Sequence, residues 1–239
     1  MKLLLWFLVV LLLAALWWWR QIPRPQPKET PPPGTWTVQD RLDQFGPDAR
    51  KRWMRDFEAA GLSYPPSEVA LLGFKDERQL EVQARSADGG FRFVRRIPVL
   101  GASGGPGPKL REGDKQVPEG LYRIESLNPN SRFHVSLRVN YPSPFDWEMA
   151  ATEGRTEPGS DIMIHGGSAS IGCLAIGDQA AEDVFTLAAD TGLERIRVLL
   201  APVDLRSRPR PSIPPEFPSW VPALYDRIES ALQVYPPRE

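Results

Sequence analysis

Cysteine and histidine are scarce in this sequence of 239 residues, which contains one Cys and two His. A single cysteine cannot form a disulfide within the chain, and it excludes zinc sites built on several thiolates. Two histidines leave little for a histidine-based site, so we expect no metal and no cofactor. The net charge is −1, which gives no basic field of the kind that binds nucleic acid.

Residues 1–20 have the composition of a membrane signal. Lys2 precedes an uncharged apolar run over 3–19, and Arg20 ends it. A cleavable signal peptide needs small residues before the cut, but a Trp cluster at 17–19 stands there instead. We therefore expect an uncleaved anchor in the inner membrane that places the rest in the periplasm. The alternative is secretion after signal cleavage.

Composition and periodicity divide the rest of the chain. Residues 21–34 predict a proline-rich spacer. Residues 35–65 predict two helices that Gly46-Pro47 separates. Residues 66–205 predict a strand-rich domain, and residues 206–239 a proline-rich connection followed by a helix at 222–232.

Within residues 66–205, alternation and turn residues predict several strands and one helix. Asp178 is the expected N-cap of that helix, and Gly192 follows its end. The predicted strands cover 68–74, 79–84, 91–100, 133–141 and 194–201.

The stretch 162–176 carries the functional prediction. It contains Cys173 and His165, eight positions apart, in two short apolar runs around a loop of Gly, Ser and Ala. This pattern predicts strand, loop and strand, with His165 and Cys173 on the faces opposite to the core residues Ile164 and Leu174. A thiol and an imidazole at the ends of such a loop can reach each other, as a cysteine nucleophile requires.

A lone cysteine is equally often a small buried hydrophobic residue. Three features favour chemistry. An unused thiol is a liability outside the cytoplasm, Gly172 lets a backbone N–H face a reacting carbonyl, and His165 can lower the pKa of the thiol.

The segment from His165 to Ala175 resembles the active-site signature of the L,D-transpeptidase (YkuD-domain) superfamily, in its YafK-like branch. That superfamily carries a His-Gly segment followed by Ser-x-Gly-Cys. Residues 107–124 are similar to the family's G-D-x-x-T-P-x-G-x-Y strand entry. Residues 128–134 and 154–156 also look like this branch, so the resemblance covers roughly 66–205.

The resemblance implies an α+β fold, with a β-rich core of mixed and antiparallel sheets and added helices. It implies Cys173 as nucleophile, His165 as general base and acid, and an acyl-enzyme thioester with a diaminopimelate-containing stem peptide of peptidoglycan. Water would then give hydrolysis, including release of a peptidoglycan-linked lipoprotein, and an amine acceptor would give transpeptidation. We expect the backbone near Gly172 to form the oxyanion hole, and the other small loop residues to provide shape; these are Gly166, Gly167 and Ser170.

Two positions depart from the common pattern. Ile171 replaces a His, and Ala175 replaces an Arg or Asn. Three further residues are candidates for substrate binding, with ordinary surface or structural roles as the alternative: Lys109, His134 and Arg155. The rival hypotheses are a catalytically silent peptidoglycan-binding or scaffold module and a cysteine peptidase of periplasmic proteins.

Overall fold

The computed structural model describes Pro32 and residues 34–237. The predicted anchor, residues 1–20, and nearly all of the predicted spacer, 21–34, lie outside the described residues. Within the described part, no helix is both long and apolar enough to cross a bilayer.

Residues 34–237 contain eight strands, four α-helices and one short 3₁₀ helix. The strands are β1 Val69–Phe74, β2 Gln79–Arg85, β3 Phe91–Pro98, β4 Gly120–Asn128, β5 Ser136–Val139, β6 Met163–His165, β7 Leu174–Ala175 and β8 Ile196–Ala201. The helices are α1 Val38–Ala59, α2 Pro144–Thr152, α3 Asp178–Thr191 and α4 Val221–Leu232, with the 3₁₀ helix at Leu193–Arg195.

The eight strands form one mixed sheet in the order β3-β2-β1-β8-β4-β5-β6-β7. β1 runs parallel to β8 and β6 runs parallel to β7. The other neighbours are antiparallel. With its four helices the chain is an α+β protein, which confirms the predicted fold class.

Helices cover both faces of the centre of the sheet. All six residues of β1 are buried, and they alternate between two apolar cores. Val69 and Leu71 share a core with α1 and α3, whereas Ala70 and Leu72 pack with α4. The burial of both faces explains why β1 is a continuous apolar run.

α1 is one continuous helix, so the prediction that Gly46-Pro47 separates two helices is wrong. Pro47 lies inside the helix, where a proline costs about 3 kcal/mol. The apolar stripe continues across it, and its members are all buried. They are Leu42, Phe45, Ala49, Trp53 and Phe57. Because burying one large apolar side chain contributes about 1.5–3 kcal/mol, this stripe outweighs the proline.

α2 was not predicted from the sequence. It begins after Ser143, whose hydroxyl accepts the Asp146 backbone N–H while the Asp146 carboxylate accepts from the backbone of Ser143. Pro144 follows the cap at the first helical position. This capping box with a following proline is the pattern that would have revealed the helix.

The predicted helix is present as α3, but Asp178 is its first residue and not its N-cap. Gly177 occupies that position and makes no side-chain capping bond. The Asp178 carboxylate instead accepts the backbone N–H of Gly167 at 2.7 Å. The acidic residue therefore fixes the loop after His165, while Gly192 ends the helix as predicted.

Charged side chains join α1 to α3. Asp183 of α3 is buried and pairs with Arg52 at 2.7 Å and with Arg95 of β3 at 2.6 Å. Arg50 binds both carboxylate oxygens of Asp190 at 2.7 and 2.8 Å. Bidentate and buried pairs of this kind fix one relative orientation of two helices.

Candidate active site

The register of two parallel strands places Cys173 beside His165. β6 pairs with β7 so that Ile164 lies opposite Leu174 and His165 opposite Ala175. One step back along both strands, Cys173 faces Met163. Because side chains alternate, Cys173 and His165 share one face of the sheet as diagonal neighbours. Ile164 and Leu174 belong to the apolar core, but the opposite face is covered as well, since His165 is itself buried.

The loop between these strands is short for a parallel connection. Only residues 166–173 join β6 to β7, whereas parallel strands are usually joined by a dozen or more residues. Gly167 and Gly172 have φ of +68° and +89°, a backbone region that glycine enters without steric cost. The glycines at these positions therefore allow the chain to reverse twice within eight residues.

The thiol of Cys173 lies in a half-buried pocket of backbone groups. Sγ accepts the Met163 N–H at 3.4 Å and donates to the Asp161 carbonyl at 3.5 Å. Burial raises the pKa of the Cys173 thiol, while the Met163 N–H lowers it and Asp161 raises it further. The net direction is upward, so the resting state is a protonated thiol.

The imidazole of His165 has a defined tautomer. Its Nδ1 lies 2.6 Å from the carbonyl oxygen of Gly166. A carbonyl can only accept, so Nδ1 carries the proton and Nε2 of the neutral ring has a free lone pair. His165 is 3% exposed, and this burial lowers its pKa although the Gly166 carbonyl acts in the opposite direction. Neutral imidazole is the resting form.

Thiol and imidazole are neighbours without a direct hydrogen bond. Among the described residues, the partners of Sγ are the backbone groups of Met163 and Asp161. Both pKa shifts favour the uncharged forms of Cys173 and His165. The arrangement thus differs from a thiolate–imidazolium pair, and proton transfer must accompany attack. Catalytic hydrogen bonds often tighten only when substrate binds.

The two amides expected to bind an oxyanion already have hydroxyl acceptors. The Gly172 N–H donates to Ser103 at 2.7 Å, and the Cys173 N–H donates to Ser170 at 3.0 Å. Ser170 also donates to the Cys173 carbonyl at 2.7 Å. An oxyanion would therefore have to replace a serine hydroxyl.

A loop at 102–118 packs beside Cys173, and Asp114 organises it. Its carboxylate accepts from the Lys109 ammonium at 2.7 Å and from the backbone N–H groups of Leu110, Arg111 and Gln116. Burial alone would raise the pKa of Asp114, but these hydrogen bonds outweigh it and lower the pKa.

Lys109 is not free to meet a substrate carboxylate in this structure. It is buried, and besides Asp114 it donates to the Arg111 carbonyl at 2.8 Å. Its charge still lowers the pKa of Cys173, so it acts on the site through space. Arg155 is likewise engaged, with Glu153 at 2.9 Å and with the Leu110 carbonyl at 2.5 Å.

A buried ion pair fixes the far end of the same loop. Lys75, directly after β1, lies 3.0 Å from Glu119, and both side chains are almost fully buried. Lys75 also donates to the carbonyls of Gly107 and Val117, and Glu119 accepts the Gly107 N–H. Burial lowers the pKa of Lys75, with Glu119 opposing it.

His134 contacts the helices α1 and α3. Its Nε2 is 2.8 Å from Glu182 of α3, and its ring contacts Phe45 of α1 at 6.0 Å between centroids. The structural role is the one these contacts support. The neighbouring Phe133, which sequence reasoning missed, stacks on the His165 ring. Aromatic residues beside a half-buried turn carry no pattern that identifies such a contact.

Ile171, one of the two departures, is 73% exposed at the tip of the loop. Ala175, the other, is fully buried against Gly101 of the preceding connection.

A groove of about 400 Å³ opens between the end of β3 and the start of α3. Neither Cys173 nor His165 lines it. Within residues 34–237, no three His, Cys, Asp or Glu side chains are grouped so that they could bind a metal ion.

A half-buried thiol directly before β7 and a buried neutral imidazole at the end of β6 define a cysteine–histidine site. The model of the L,D-transpeptidase catalytic domain, YkuD, matches residues 75–198. This segment is more than half of the chain and includes both residues. The chain belongs to the L,D-transpeptidase catalytic domain (YkuD) family.

The curated relatives are the Escherichia coli proteins named "Putative L,D-transpeptidase YafK", from strain K12 and from O157:H7. Each is 31% identical over 121 residues, which are 50% of this chain and 46% of the relative. The chain therefore spans about half the length of the curated relatives it matches.

Several solved structures resemble the chain. The helical cell shape determining protein Pgp2 from Campylobacter jejuni is 23% identical, with a TM-score of 0.48 over 59% of this chain and 50% of that one. Bdellovibrio bacteriovorus Bd1075 has the same identity and coverage and a TM-score of 0.42. L,D-transpeptidase 1 from Mycobacterium tuberculosis is 14% identical, with a TM-score of 0.32 over 56% and 62% of the two chains.

Proposed function

We propose that this protein modifies peptidoglycan through a thioester between Cys173 and a diaminopimelate-containing stem peptide. The observation that carries the proposal is the parallel β6–β7 register, which sets Cys173 and His165 on one face inside the segment that defines the family. The Nδ1–Gly166 hydrogen bond supports it, because it leaves Nε2 as the base on that face.

The reaction begins with a neutral pair. Nε2 of His165 takes the Sγ proton while Sγ attacks the carbonyl carbon of the scissile amide. The tetrahedral intermediate collapses as Nε2 protonates the leaving amine, and a thioester remains on Cys173. Water or an amine then attacks the thioester, His165 removes its proton, and that proton returns to the thiolate.

Oxyanion stabilisation uses the amides before and at the nucleophile. The N–H groups of Gly172 and Cys173 donate to serine hydroxyls in the resting state. In the intermediate, the oxyanion replaces one of these hydroxyls, because a charged acceptor forms the stronger hydrogen bond. The loss of one such donor costs on the order of 3 kcal/mol in related sites.

The acceptor decides between two activities of the same thioester. Hydrolysis would release a lipoprotein or peptide from peptidoglycan, and transpeptidation would join two stems. Residues 1–20 would hold the enzyme on the periplasmic side of the inner membrane, where this substrate is found. N-terminal sequencing of the membrane-fraction protein tests that location, and a start after residue 16 would contradict the anchor.

Purified sacculi, with and without bound lipoprotein, test the reaction. After incubation with the full-length protein, mass analysis should show released lipoprotein or peptide for a hydrolase, or 3-3 cross-links for a transpeptidase. Cys173→Ser and His165→Ala should abolish the products. Unchanged yield in either variant would refute the mechanism. Ser168→Ala, which changes an exposed loop side chain, is the matched control.

Two observations favour a second candidate, a silent peptidoglycan-binding module. The thiol is protonated, and its two neighbouring amides are engaged by serines. A silent module would bind sacculi equally well with Cys173→Ser and would give no product with any acceptor. A carbapenem adduct on Cys173, seen by intact mass, would exclude this candidate because acylation needs a competent nucleophile.

A further inference from the structure

The ring of Phe133 lies on the ring of His165. The two centroids are 4.5 Å apart and the planes differ by 27°. A stack of this kind is favourable beyond the apolar area that it buries. It fixes the plane of the imidazole, and the Nδ1–Gly166 bond fixes its rotation within that plane. Together the two contacts determine where Nε2 points.

The segment that carries Phe133 packs directly on the backbone after His165. A Cβ atom at Gly166 would lie 2.7 Å from the Phe133 carbonyl oxygen and 3.1 Å from the Cβ of His134. His134 has φ of +70°, which turns the chain between Phe133 and β5. The absence of a side chain at Gly166 is therefore what admits Phe133 to this position.

The turn that carries Phe133 is held by residues that lie outside the family-matched residues 75–198. The Asn130 side chain accepts the Trp36 N–H at 2.9 Å and donates to the Trp36 carbonyl at 2.8 Å. Arg41 of α1 donates to the Pro129 carbonyl at 2.9 Å. These contacts connect the start of α1 to the turn that presents Phe133.

We propose that Phe133 is a positioning residue for His165, and that the start of α1 sets its position through Asn130. The proposal rests on the proposed function for its catalytic consequence alone, because the orientation of the ring can be measured without a substrate. The helix α1 lies outside the family-matched residues 75–198. The proposal therefore gives α1 a role in catalysis that the family match does not include.

The ring can be followed directly by NMR, since the chain has only two histidines. His134→Asn assigns the His165 signals. In the wild type, the ring current of Phe133 should shift the carbon-bound imidazole protons upfield. Phe133→Leu should abolish that shift, Phe133→Tyr should keep it, and Asn130→Ala should reduce it. An identical His165 spectrum in Phe133→Leu would overturn the proposal.

The imidazole pKa gives a second readout on the same samples. Burial lowers the pKa of His165, so removing the covering ring should raise it. The nearby titratable groups are the Cys173 thiol, the Asp178 carboxylate on Gly167, and the His134–Glu182 pair. None of these groups is substituted in Phe133→Leu. An unchanged or lower pKa in that variant would contradict the proposal.

Turnover of sacculi separates positioning from substrate contact. A misplaced base can lower kcat by up to about 100-fold, so Phe133→Leu should lower kcat with KM nearly constant, and Phe133→Tyr should restore it. A raised KM with kcat intact would show that Phe133 contacts substrate instead. Trp147→Leu, another exposed aromatic change, is the control. If the wild type turns over nothing, the proposed function fails while the NMR measurements still decide the position of the ring.

Discussion

The hydroxyl of Ser103 accepts the backbone N–H of Gly172 at 2.7 Å, although 69 residues separate them in the sequence. The same hydroxyl donates to the Lys115 carbonyl at 2.6 Å. Ser103 therefore joins the 102–118 loop to the turn that precedes Cys173. The nucleophile is held by a contact that the family signature does not contain.

Ser103→Ala removes both hydrogen bonds of this hydroxyl. Each is worth about 0.5–1.5 kcal/mol, so the free energy of unfolding should fall by about 1–3 kcal/mol in urea denaturation. The exposed Ser168→Ala should stay within about 0.5 kcal/mol of the wild type. Equal effects of the two changes would show that the Ser103 contact contributes nothing.

Alkylation of Cys173 by iodoacetamide should begin at high pH. Only the thiolate reacts, and burial raises the pKa of this thiol, so the rate should rise through a midpoint above the ordinary value of about 8.5. His165→Ala should leave the midpoint almost unchanged because the resting pair is neutral. A midpoint below about 7 that His165→Ala abolishes would establish a preformed ion pair instead.

Lys109→Met should destabilise the protein and make the thiol less acidic. Removal of one member of a buried pair costs about 3–5 kcal/mol, and Asp114 would lose its cation. The double variant Lys109→Met/Asp114→Asn should recover part of the loss. Loss of the Lys109 charge should also move the alkylation midpoint of Cys173 further upward.

The pH dependence of this pair has a defined sign. The folded-state pKa of Asp114 is lowered, so its contribution to stability is complete above the unfolded pKa of about 3.9. It disappears as the pH falls through the lower folded-state value. The difference in the free energy of unfolding between the wild type and Lys109→Met should therefore decrease at acidic pH. A difference that stays constant to pH 2 would contradict this assignment.

Gly166→Ala should lower turnover by more than the accompanying loss of folded protein explains. The added methyl would meet the Phe133 carbonyl and the Asp178 carboxylate, so the backbone beside His165 must move. Gly113→Ala is the matched control, since its φ of +72° is strained but nothing lies within 4 Å of the added atom. It should cost about 1–2 kcal/mol and keep the activity of the folded protein. Equal activity losses would refute the distinction.

Local patterns predicted much of the fold. The alternating sequence of residues 79–84 predicted a strand and Gly192 predicted the end of α3, and the structure confirms both elements. The prediction of a helix break at Pro47 was wrong, because burial of the apolar stripe of α1 outweighs the local effect of the proline. α2 was missed although the Ser143 capping box marks its start.

The site was predictable only in part. Strand alternation predicted that Ile164 and Leu174 lie in the core, because that pattern lies within three residues, but it did not predict the burial of His165. The engagement of the Gly172 amide by Ser103, the Lys109–Asp114 pair and the Phe133 stack all depend on how separate segments meet. No spacing within the signature encodes these partners.

The parallel pairing of β6 and β7 fixes the geometry of the site independently of the length of the loop between them. Ile164 opposite Leu174 and His165 opposite Ala175 fix the two reactive groups through the sheet ladder. Residues 168 and 169 at the turn are exposed. Evolution and protein engineering can therefore lengthen, shorten or re-sequence this turn to change what approaches the thiol, while the nucleophile and its base keep their spacing.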